Sequence, residues 1–170
     1  MATEIERKFL VAGDGWRSAV VGSEPLRQGY LSRGPGPSLR VRATASRAWL
    51  TIKSDTPGLS RLEFEYEIPL ADAAALLADV CVRPLIEKVR HCVVHEGRDW
   101  VVDVFTGTLD GLVLAEIELT SEHDDVPLPP WVGREVTDDP RFRNASLAAV
   151  RPAEVPNLLA GTGRADDRSS

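Results

Sequence analysis

Charged residues alternate with apolar ones in several separate stretches of the 170-residue chain. The first stretch lies near the start, where Glu4, Glu6 and Lys8 occupy every second position. Successive side chains of a β-strand point to opposite faces, so residues at this spacing share one face. The spacing recurs later with charges sorted by sign: Arg40 and Arg42, Glu63 and Glu65, Lys88 and Arg90, Glu116 and Glu118. We expect these charged faces to line one common interior.

The chemistry that these residue types suggest is phosphoryl transfer assisted by a metal ion. Guanidinium groups bind phosphate oxygens through two hydrogen bonds, and lysines act as point charges. Carboxylates repel a phosphate chain unless divalent cations lie between them, and Mg²⁺ is typically held by carboxylates together with substrate phosphates. The alternative interpretation is that each charged face is the solvated side of an ordinary antiparallel sheet. The sorting of charges by sign favours the shared interior.

The elements that must position these residues are mostly strands. The alternation predicts eight of them, at Glu4–Val11, Pro25–Ser32, Ser38–Thr44, Ala48–Ser54, Arg61–Ile68, Leu85–His95, Asp99–Phe105 and Leu112–Thr120. Their short connections imply antiparallel neighbours, and eight strands can close around packed side chains or one small ligand. The predicted fold class is therefore α+β, mainly antiparallel β: a closed eight-stranded β-barrel, or tunnel, with a few covering helices.

The helical segments are few. An Ala- and Leu-rich stretch, Ala71–Val82, predicts the one substantial helix, and we expect it to cover the apolar outside of the barrel. Shorter helices are predicted at Trp16–Val21 and Asn144–Val150, and a short edge segment at Arg134–Thr137. These elements belong to one predicted domain, residues 1–160, followed by a flexible tail, residues 161–170.

Composition excludes several classes of protein. A net charge of −6 argues against a general nucleic-acid or anionic-membrane binder, which needs a basic surface. No apolar stretch approaches the ~18 residues that span a bilayer, and the N-terminus does not resemble a secretory signal. The two cysteines, Cys81 and Cys92, have no CxxC spacing, which disfavours a disulfide scaffold or a zinc site. We expect a cytoplasmic protein with reduced thiols.

The N-terminal pattern Glu4-x-Glu6-x-Lys8 resembles the ExExK signature of the CYTH proteins, or triphosphate tunnel metalloenzymes. The later charged residues are similar to that family's in order and strand placement: Arg40, Arg42, Lys53, Glu63, Glu65, Lys88, Arg90, Asp103, Glu116 and Glu118. The resemblance extends over residues 2–150, nearly the whole chain.

The resemblance implies a tunnel that binds a triphosphate among basic side chains and Mg²⁺ or Mn²⁺ among carboxylates. The implied phosphate-binding residues are Lys8, Arg40, Arg42, Lys53, Lys88 and Arg90. Tyr30, on the second predicted strand, is a further candidate to reach the tunnel. The implied metal ligands are Glu4, Glu6, Glu63, Glu65, Asp103, Glu116 and Glu118. The residues implied in catalysis are Glu4, Glu6, Lys8 and Glu118.

Several activities occur in this family, and the sequence favours hydrolysis of inorganic triphosphate to diphosphate and phosphate. Few aromatic residues lie near the charged positions, so we expect no stacking platform for an adenine or thiamine ring. The alternatives are a thiamine or nucleoside triphosphatase, a class IV adenylate cyclase, or a non-catalytic module that binds polyphosphate or nucleotide. The expected partner is a small molecule containing a triphosphate, not nucleic acid or membrane, and the resemblance adds a homodimer as an expectation.

Overall fold

The computed structural model describes residues 2–32, 36–54, 60–121 and 123–160, with side chains from Ile5 onward in the first strand and from Leu62 onward in the fifth. Within these ranges the chain forms nine strands: β1 (Ala2–Val11), β2 (Val20–Tyr30), β3 (Ser38–Ala43), β4 (Ala48–Lys53), β5 (Ser60–Ile68), β6 (Val82–His95), β7 (Arg98–Thr106), β8 (Val113–Glu118) and β9 (Val132–Glu135). The helices are α1 (Leu70–Ala75), α2 (Asn144–Leu147) and α3 (Val155–Ala160). The fold is α+β and dominated by antiparallel strands, as predicted.

Several predicted boundaries are wrong. The described residues contain nine strands rather than eight, because Val132–Glu135 pairs with β1. The helix predicted at Ala71–Val82 begins at Leu70, directly after Pro69, and continues through a π-helical turn that ends at Val80. Val82 instead begins β6, where this β-branched residue suits a strand and pairs with Tyr30.

Other segments also differ from the prediction. β2 begins at Val20, and the short helix predicted just before it is a 3₁₀ segment at Gly15–Ala19. The helix predicted from Asn144 ends at Leu147. Further 3₁₀ segments lie at Gly107–Leu109, Pro140–Phe142 and Pro152–Glu154. The predicted flexible tail, residues 161–170, lies outside the described residues. Among the residues described, no helix has the length and apolar character needed to cross a membrane.

The strands pair in the order β5-β4-β3-β2-β6-β7-β8-β1-β9. The second half of β1 pairs with β8, with Glu6 opposite Glu118 and Lys8 opposite Glu116. The first residues of β1 pair with β5, with Ala2 opposite Glu63 and Ile5 opposite Ser60. β5 therefore has a partner on each side, β4 and β1.

Register places the predicted charged residues on one face of the sheet. Residues directly opposite each other on paired strands project to the same side. Arg90 lies opposite Asp103, Arg40 opposite Thr51, and Thr51 opposite Glu65. We call this side, which also carries Lys8 and Glu116, the charged face.

The opposite face of the sheet is apolar and is covered over β1 and over β3 and β4, whereas Leu62, Phe64 and Tyr66 of β5 are exposed. Ala73 of α1 and Leu77 of the following turn pack on Val41 and Ala48 of β3 and β4, as expected for a covering helix. Elsewhere a second cluster surrounds Phe9 with Trp16, Trp100, Trp131 and other buried side chains. Ile5 and Val11 pack against this cluster. The alternation in β1 is thus explained, because its apolar side chains are buried by covering segments while Lys8 lies on the charged face.

The charged face also has an apolar region. Tyr30, Ile86, Phe105 and Leu114 project to this face by register and form one core cluster. The C-terminal segments complete the cluster with the side chains of Phe142, Leu147, Val155 and Leu158. The C-terminal helices therefore cover one part of the charged face and leave the charged residues around the remainder.

Gly29 provides a test of how tightly the covering helix packs. A Cβ atom at this position would lie 2.7 Å from Cys81 Cβ and 2.8 Å from Leu85 Cδ2. Overpacking of this kind typically costs about 1–3 kcal/mol. We expect Gly29→Ala to lower the free energy of unfolding by that amount, measured by urea denaturation. Gly22→Ala, on the same strand, meets nothing within 4 Å and is the matched control. Equal stabilities of the two variants would contradict the packing described.

Candidate active site

A cavity of about 540 Å³ lies on the charged face. Its charged lining residues all belong to the set predicted from the sequence: Glu6, Arg40, Arg42, Lys53, Glu63, Glu65, Arg90, Glu116 and Glu118. They come from β1, β3, β4, β5, β6 and β8. Phe64, Tyr66 and Asn144 also line the cavity. The strands thus bring together cations and carboxylates that lie up to 112 positions apart in the chain (Glu6 to Glu118).

One ion-pair network connects β1, β6, β7 and β8. Lys8 Nζ lies 2.9 Å from a Glu116 oxygen and 3.8 Å from a Glu6 oxygen. Arg90 donates two hydrogen bonds of 2.8 Å to Asp103 and one of 3.2 Å to Glu116. Lys88 donates to the same Asp103 carboxylate. Asp103 is 1 % exposed, so one buried carboxylate holds two cations in place.

Charge pairing outweighs the cost of burial at Glu116 and Lys8, whereas burial has the larger effect at Lys88. Burial opposes ionisation of Glu116, but Lys8 and Arg90 outweigh it and hold the pKa of Glu116 well below its usual range. Burial also opposes the charged form of Lys8, yet Glu116 and Glu6 raise the Lys8 pKa. Burial lowers the pKa of Lys88 to about 8, although Asp103 acts in the opposite direction. At neutral pH the network therefore consists of ionised groups.

A second network lies on β3, β4 and β5. Arg42 donates to both oxygens of Glu65, at 3.0 and 3.1 Å, and Thr51 donates to Glu65 at 2.9 Å. Arg40 donates to Thr51 at 3.4 Å and lies 3.9 Å from Glu65. Lys53 lies 2.7 Å from Glu63. In this network a single carboxylate, Glu65, serves two guanidinium groups.

The two arginines of this network have unsatisfied hydrogen-bond donors. The Nε atoms of Arg40 and Arg42 are buried and have no hydrogen-bond partner. Burial, and then the neighbouring Arg40, lower the pKa of Arg42. Buried donors that lack acceptors are rare in folded proteins. A local excess of positive charge with unused N–H groups is what an anion-binding site requires.

The carboxylates of the cavity have the chemistry of a divalent-cation site. Glu6 and Glu118 lie directly opposite each other on β1 and β8, and like charges in this position destabilise a sheet. Carboxylate oxygens are the ligands that Mg²⁺ and Mn²⁺ prefer, and a cation between Glu6 and Glu118 would remove their repulsion. In the described part of the chain, no three His, Cys, Asp or Glu side chains converge as a ready metal site. The donor types therefore fit a cation that is held jointly by protein and substrate.

Some predicted site residues do not line the cavity. Lys8, Lys88 and Asp103 are buried and reach it through their bonds to Glu116 and Arg90. These three residues hold the lining groups in position.

Tyr30 and Glu4 are the remaining predicted residues. Tyr30 lies on the charged face but packs in the apolar cluster, where burial raises its pKa and the neighbouring Arg40 acts in the opposite direction. The backbone of Glu4 pairs with Arg61 of β5, and its side chain lies outside the described residues.

Sequence reasoning missed four residues of the site: Thr51, Asn144, and the cavity-lining Phe64 and Tyr66, which alternate with Glu63 and Glu65 along β5. Thr51 bonds both Arg40 and Glu65, and its position between Trp49 and Lys53 in the alternation of β4 could have indicated it. Asn144 reaches the cavity from α2, and no local pattern indicates that contact.

The expectation that aromatic residues are scarce near the charged positions is wrong for Trp49. Trp49 lies opposite Arg42 in register, and the guanidinium groups of Arg42 and Arg47 lie 5.0 and 5.1 Å from the centre of its ring. An aromatic ring is thus present beside the cavity, but two cations already occupy positions over it.

Known proteins resemble this chain in sequence and in fold. The family model of the CYTH domain matches residues 2–147. This chain belongs to the CYTH family. An inorganic triphosphatase from Acetivibrio thermocellus is 46% identical over 147 residues, 86% of this chain and 94% of that protein.

A second relative and a solved structure agree with that placement. An inorganic triphosphatase from Nitrosomonas europaea is 42% identical over 158 residues, 88% of this CYTH protein and 99% of its own length. The crystal structure of the inorganic triphosphatase NE1496 superimposes with a TM-score of 0.64 at 38% identity, covering 89% of this chain and 98% of that chain.

The buried ion pairs predict a large stability cost when Asp103 is neutralised. Asp103→Asn would leave Lys88 and Arg90 without their shared countercharge, which typically costs about 3–5 kcal/mol. We expect a loss of this size in the free energy of unfolding, measured by urea denaturation at pH 7. Asp14→Asn removes an exposed pair with Arg17 and should cost less than about 1 kcal/mol. Similar losses in both variants would contradict the network.

The same variant predicts a pH signature. Burial opposes ionisation of Asp103, but Lys88 and Arg90 hold its pKa below the ordinary value of 3.8. A carboxyl group with a lowered folded-state pKa contributes stability above its unfolded pKa, and this stability is lost as the pH falls toward the folded value. The stability difference between wild type and Asp103→Asn should therefore be full at pH 7 and shrink below about pH 4. A difference that stays constant down to pH 3 would show that the Asp103 charge is not its cause.

Proposed function

We propose that this CYTH protein hydrolyses inorganic triphosphate to diphosphate and phosphate, with Mg²⁺ or Mn²⁺ as cofactor. The observation that carries the proposal is a cavity that cations and carboxylates line together. Cations alone would suit a module that only binds polyphosphate. The opposed carboxylates Glu6 and Glu118 add the groups that metal-assisted hydrolysis needs. The names of the relatives at 46% and 42% identity support the same activity.

We infer that the strands β1 to β8 close into the predicted eight-stranded tunnel, with β9 added outside that ring. The support is that β1 pairs with both β8 and β5. In the sheet order, β4, β3, β2, β6 and β7 lie between β5 and β8, so β1 joins the two ends of this series. A closed sheet lets strands on opposite sides contribute to one ligand. It would place Arg42 and Glu116, for example, around the same triphosphate.

The basic residues would bind and orient the phosphate chain. Arg40 and Arg42 offer buried Nε donors that lack acceptors, and Lys53 lies beside them on β4. Arg90 belongs to β6, which is separated from β3 by β2 in the sheet. Guanidinium groups that bind phosphoryl oxygens in the substrate bind them more strongly as charge develops in the transition state. Lys8 and Lys88 are buried beneath the residues that line the cavity and add further positive charge.

The carboxylates would hold the divalent cation. Glu6, Glu116 and Glu118 are the described candidates, with Glu4 expected beside them on β1, and Glu63 and Glu65 candidates for a second cation. When bound, such a cation supplies an acidified water as nucleophile and neutralises phosphate charge. The pKa of Glu116 is held low, so this ligand is ionised at any physiological pH. Asp103 would act by positioning Lys88 and Arg90.

The other proposals from the sequence remain predictions. Trp49 is the specific observation that favours an organic triphosphate, because its ring lies next to Arg42. Stacking a base there would require Arg42 or Arg47 to leave the ring, so we place inorganic triphosphate first. A homodimer and a cytoplasmic location also remain predictions.

The direct test is phosphate release from inorganic triphosphate, ATP and thiamine triphosphate, each with Mg²⁺, with Mn²⁺ and with a chelator. We expect metal-dependent release that is fastest with inorganic triphosphate. Release from none of the substrates with either metal would refute the hydrolase. Preference for ATP or thiamine triphosphate would instead support recognition of the organic group at Trp49.

Glu6→Gln tests the role of the carboxylates. Loss of one charged ligand should reduce metal-dependent kcat on the order of 100-fold, because the water is less acidified and the phosphate charge less neutralised. Glu87→Gln is the matched control, since Glu87 pairs with Arg27 and its side chain is 48% exposed. Wild-type turnover in Glu6→Gln would place the metal elsewhere.

Arg42→Ala tests substrate binding. Loss of a charge-assisted contact to phosphate should raise KM for triphosphate by about 10-fold or more, with a smaller change in kcat. Arg27→Ala removes an arginine of β2 whose side chain is 60% exposed and should leave KM unchanged. If both substitutions raise KM equally, general surface charge rather than the cavity attracts the substrate.

A further inference from the structure

Gln28 is a buried polar residue for which neither the fold nor the proposed mechanism provides a partner. Its residue exposure is 1 %, and both amide atoms, Oε1 and Nε2, lack a hydrogen bond within the described structure. Buried side-chain amides are almost always hydrogen-bonded, because a buried donor or acceptor without a partner loses its bonds to water and gains none in return. A buried glutamine amide without hydrogen bonds suggests that a bound ligand supplies the missing partners.

The position of Gln28 is set by register on two sides. It lies opposite Arg42 of β3 and opposite Ile86 of β6, so its side chain projects to the charged face. Tyr30, the next residue of β2 on this face, lies opposite Arg40. On the β6 side, Leu26 lies opposite Lys88. Gln28 is therefore located between the apolar cluster and the phosphate-binding cations.

Three buried donors on two neighbouring strands share the same deficiency. Gln28 Nε2, Arg40 Nε and Arg42 Nε all lack an acceptor. We propose that Gln28 contacts the substrate, its amide N–H donating to an oxygen of the phosphoryl group that Arg40 and Arg42 hold. The inference rests on the proposed function, because it takes triphosphate as the ligand of this cavity.

A neutral amide suits this position for an electrostatic reason. Burial and then the neighbouring Arg40 lower the pKa of Arg42, so the two guanidinium groups already repel each other. A third cation would increase that repulsion in the empty protein, whereas an amide adds a donor without charge. Phosphoryl oxygens accept several hydrogen bonds, so the amide and both guanidinium groups can be satisfied together.

The test is the affinity for inorganic triphosphate, measured by calorimetry with a chelator present so that hydrolysis is not required. Gln28→Met keeps the length of the side chain and removes both polar atoms. We expect the dissociation constant to rise by about 10-fold or more. The melting temperature of the ligand-free variant should be unchanged or higher, because an unsatisfied buried amide has been removed. Arg27→Met, the adjacent residue on the opposite face, is the matched control and should bind as wild type.

Gln28→Glu gives a second, independent readout. A carboxylate opposite Arg42 should raise the melting temperature of the ligand-free protein and weaken triphosphate binding by at least about 100-fold through repulsion. Unchanged triphosphate affinity in both variants would overturn the inference, and Gln28 would then be a packing residue. If both Gln28 variants fail to fold without ligand while Arg27→Met is as stable as wild type, the inference is also overturned, and Gln28 has a structural role.

The outcome is separable from that of the proposed function. If the wild type binds triphosphate but releases no phosphate with metal, the hydrolase fails and the contact made by Gln28 can still be measured. If the wild type hydrolyses triphosphate and Gln28→Met binds it equally well, the inference fails and the hydrolase stands. A wild type that neither binds triphosphate nor releases phosphate from it in the presence of metal contradicts both.

Discussion

Buried charges in this protein require partners, and that requirement governs both its fold and its site. Removing an ion from water costs several kcal/mol even after the protein relaxes, and only close pairing offsets this cost. Asp103 is 1 % exposed and bonds Lys88 and Arg90, while Glu116 bonds Lys8 and Arg90. A shift of one residue in any of these strands would move its charges to the apolar face. The ion pairs therefore specify the register as strongly as the apolar clusters do.

The same pairing gives a physical account of how the site can be stable when empty and still bind its ligands. In the structure Glu65 serves Arg40 and Arg42, and Glu116 serves Lys8 and Arg90. A phosphate chain would give the cations new partners, and a divalent cation would do the same for the carboxylates. Binding of both ligands thus exchanges one set of charge pairs for another and leaves no buried charge unpaired. Binding of triphosphate alone would leave the carboxylates with fewer partners, which is a reason for substrate and metal to bind cooperatively.

The charged part of the site could be predicted because strand alternation has a period of two. Once Glu6 and Lys8 are on one face, matching pairs such as Arg40 and Arg42 follow from the same rule, and cross-strand register brings them together. The charges could also be recognised by their sorting, since a solvated face has no reason to separate signs by strand. The face to which each of these residues projects can therefore be predicted without knowing which strands pair.

Elements that depend on long-range packing were not predictable in this way. The sequence predicts a short edge segment at Arg134–Thr137, but the bounds of β9, Val132–Glu135, depend on the partner that β1 offers. The helix after β5 ends at Val80 because Val82 pairs with Tyr30, a contact between distant segments. Gln28 looks like an ordinary polar residue in the sequence, and only the burial of its amide reveals its position among the cations.

On the charged face, the arginines of β3 are the groups that we expect to hold the triphosphate. A crystal structure of the protein with inorganic triphosphate, prepared without divalent metal, would show these contacts. We expect phosphoryl oxygens within hydrogen-bond distance of Arg40 and Arg42, with their Nε donors satisfied. A triphosphate bound only outside this cavity, with Arg40 and Arg42 still paired to Glu65 alone, would contradict this expectation.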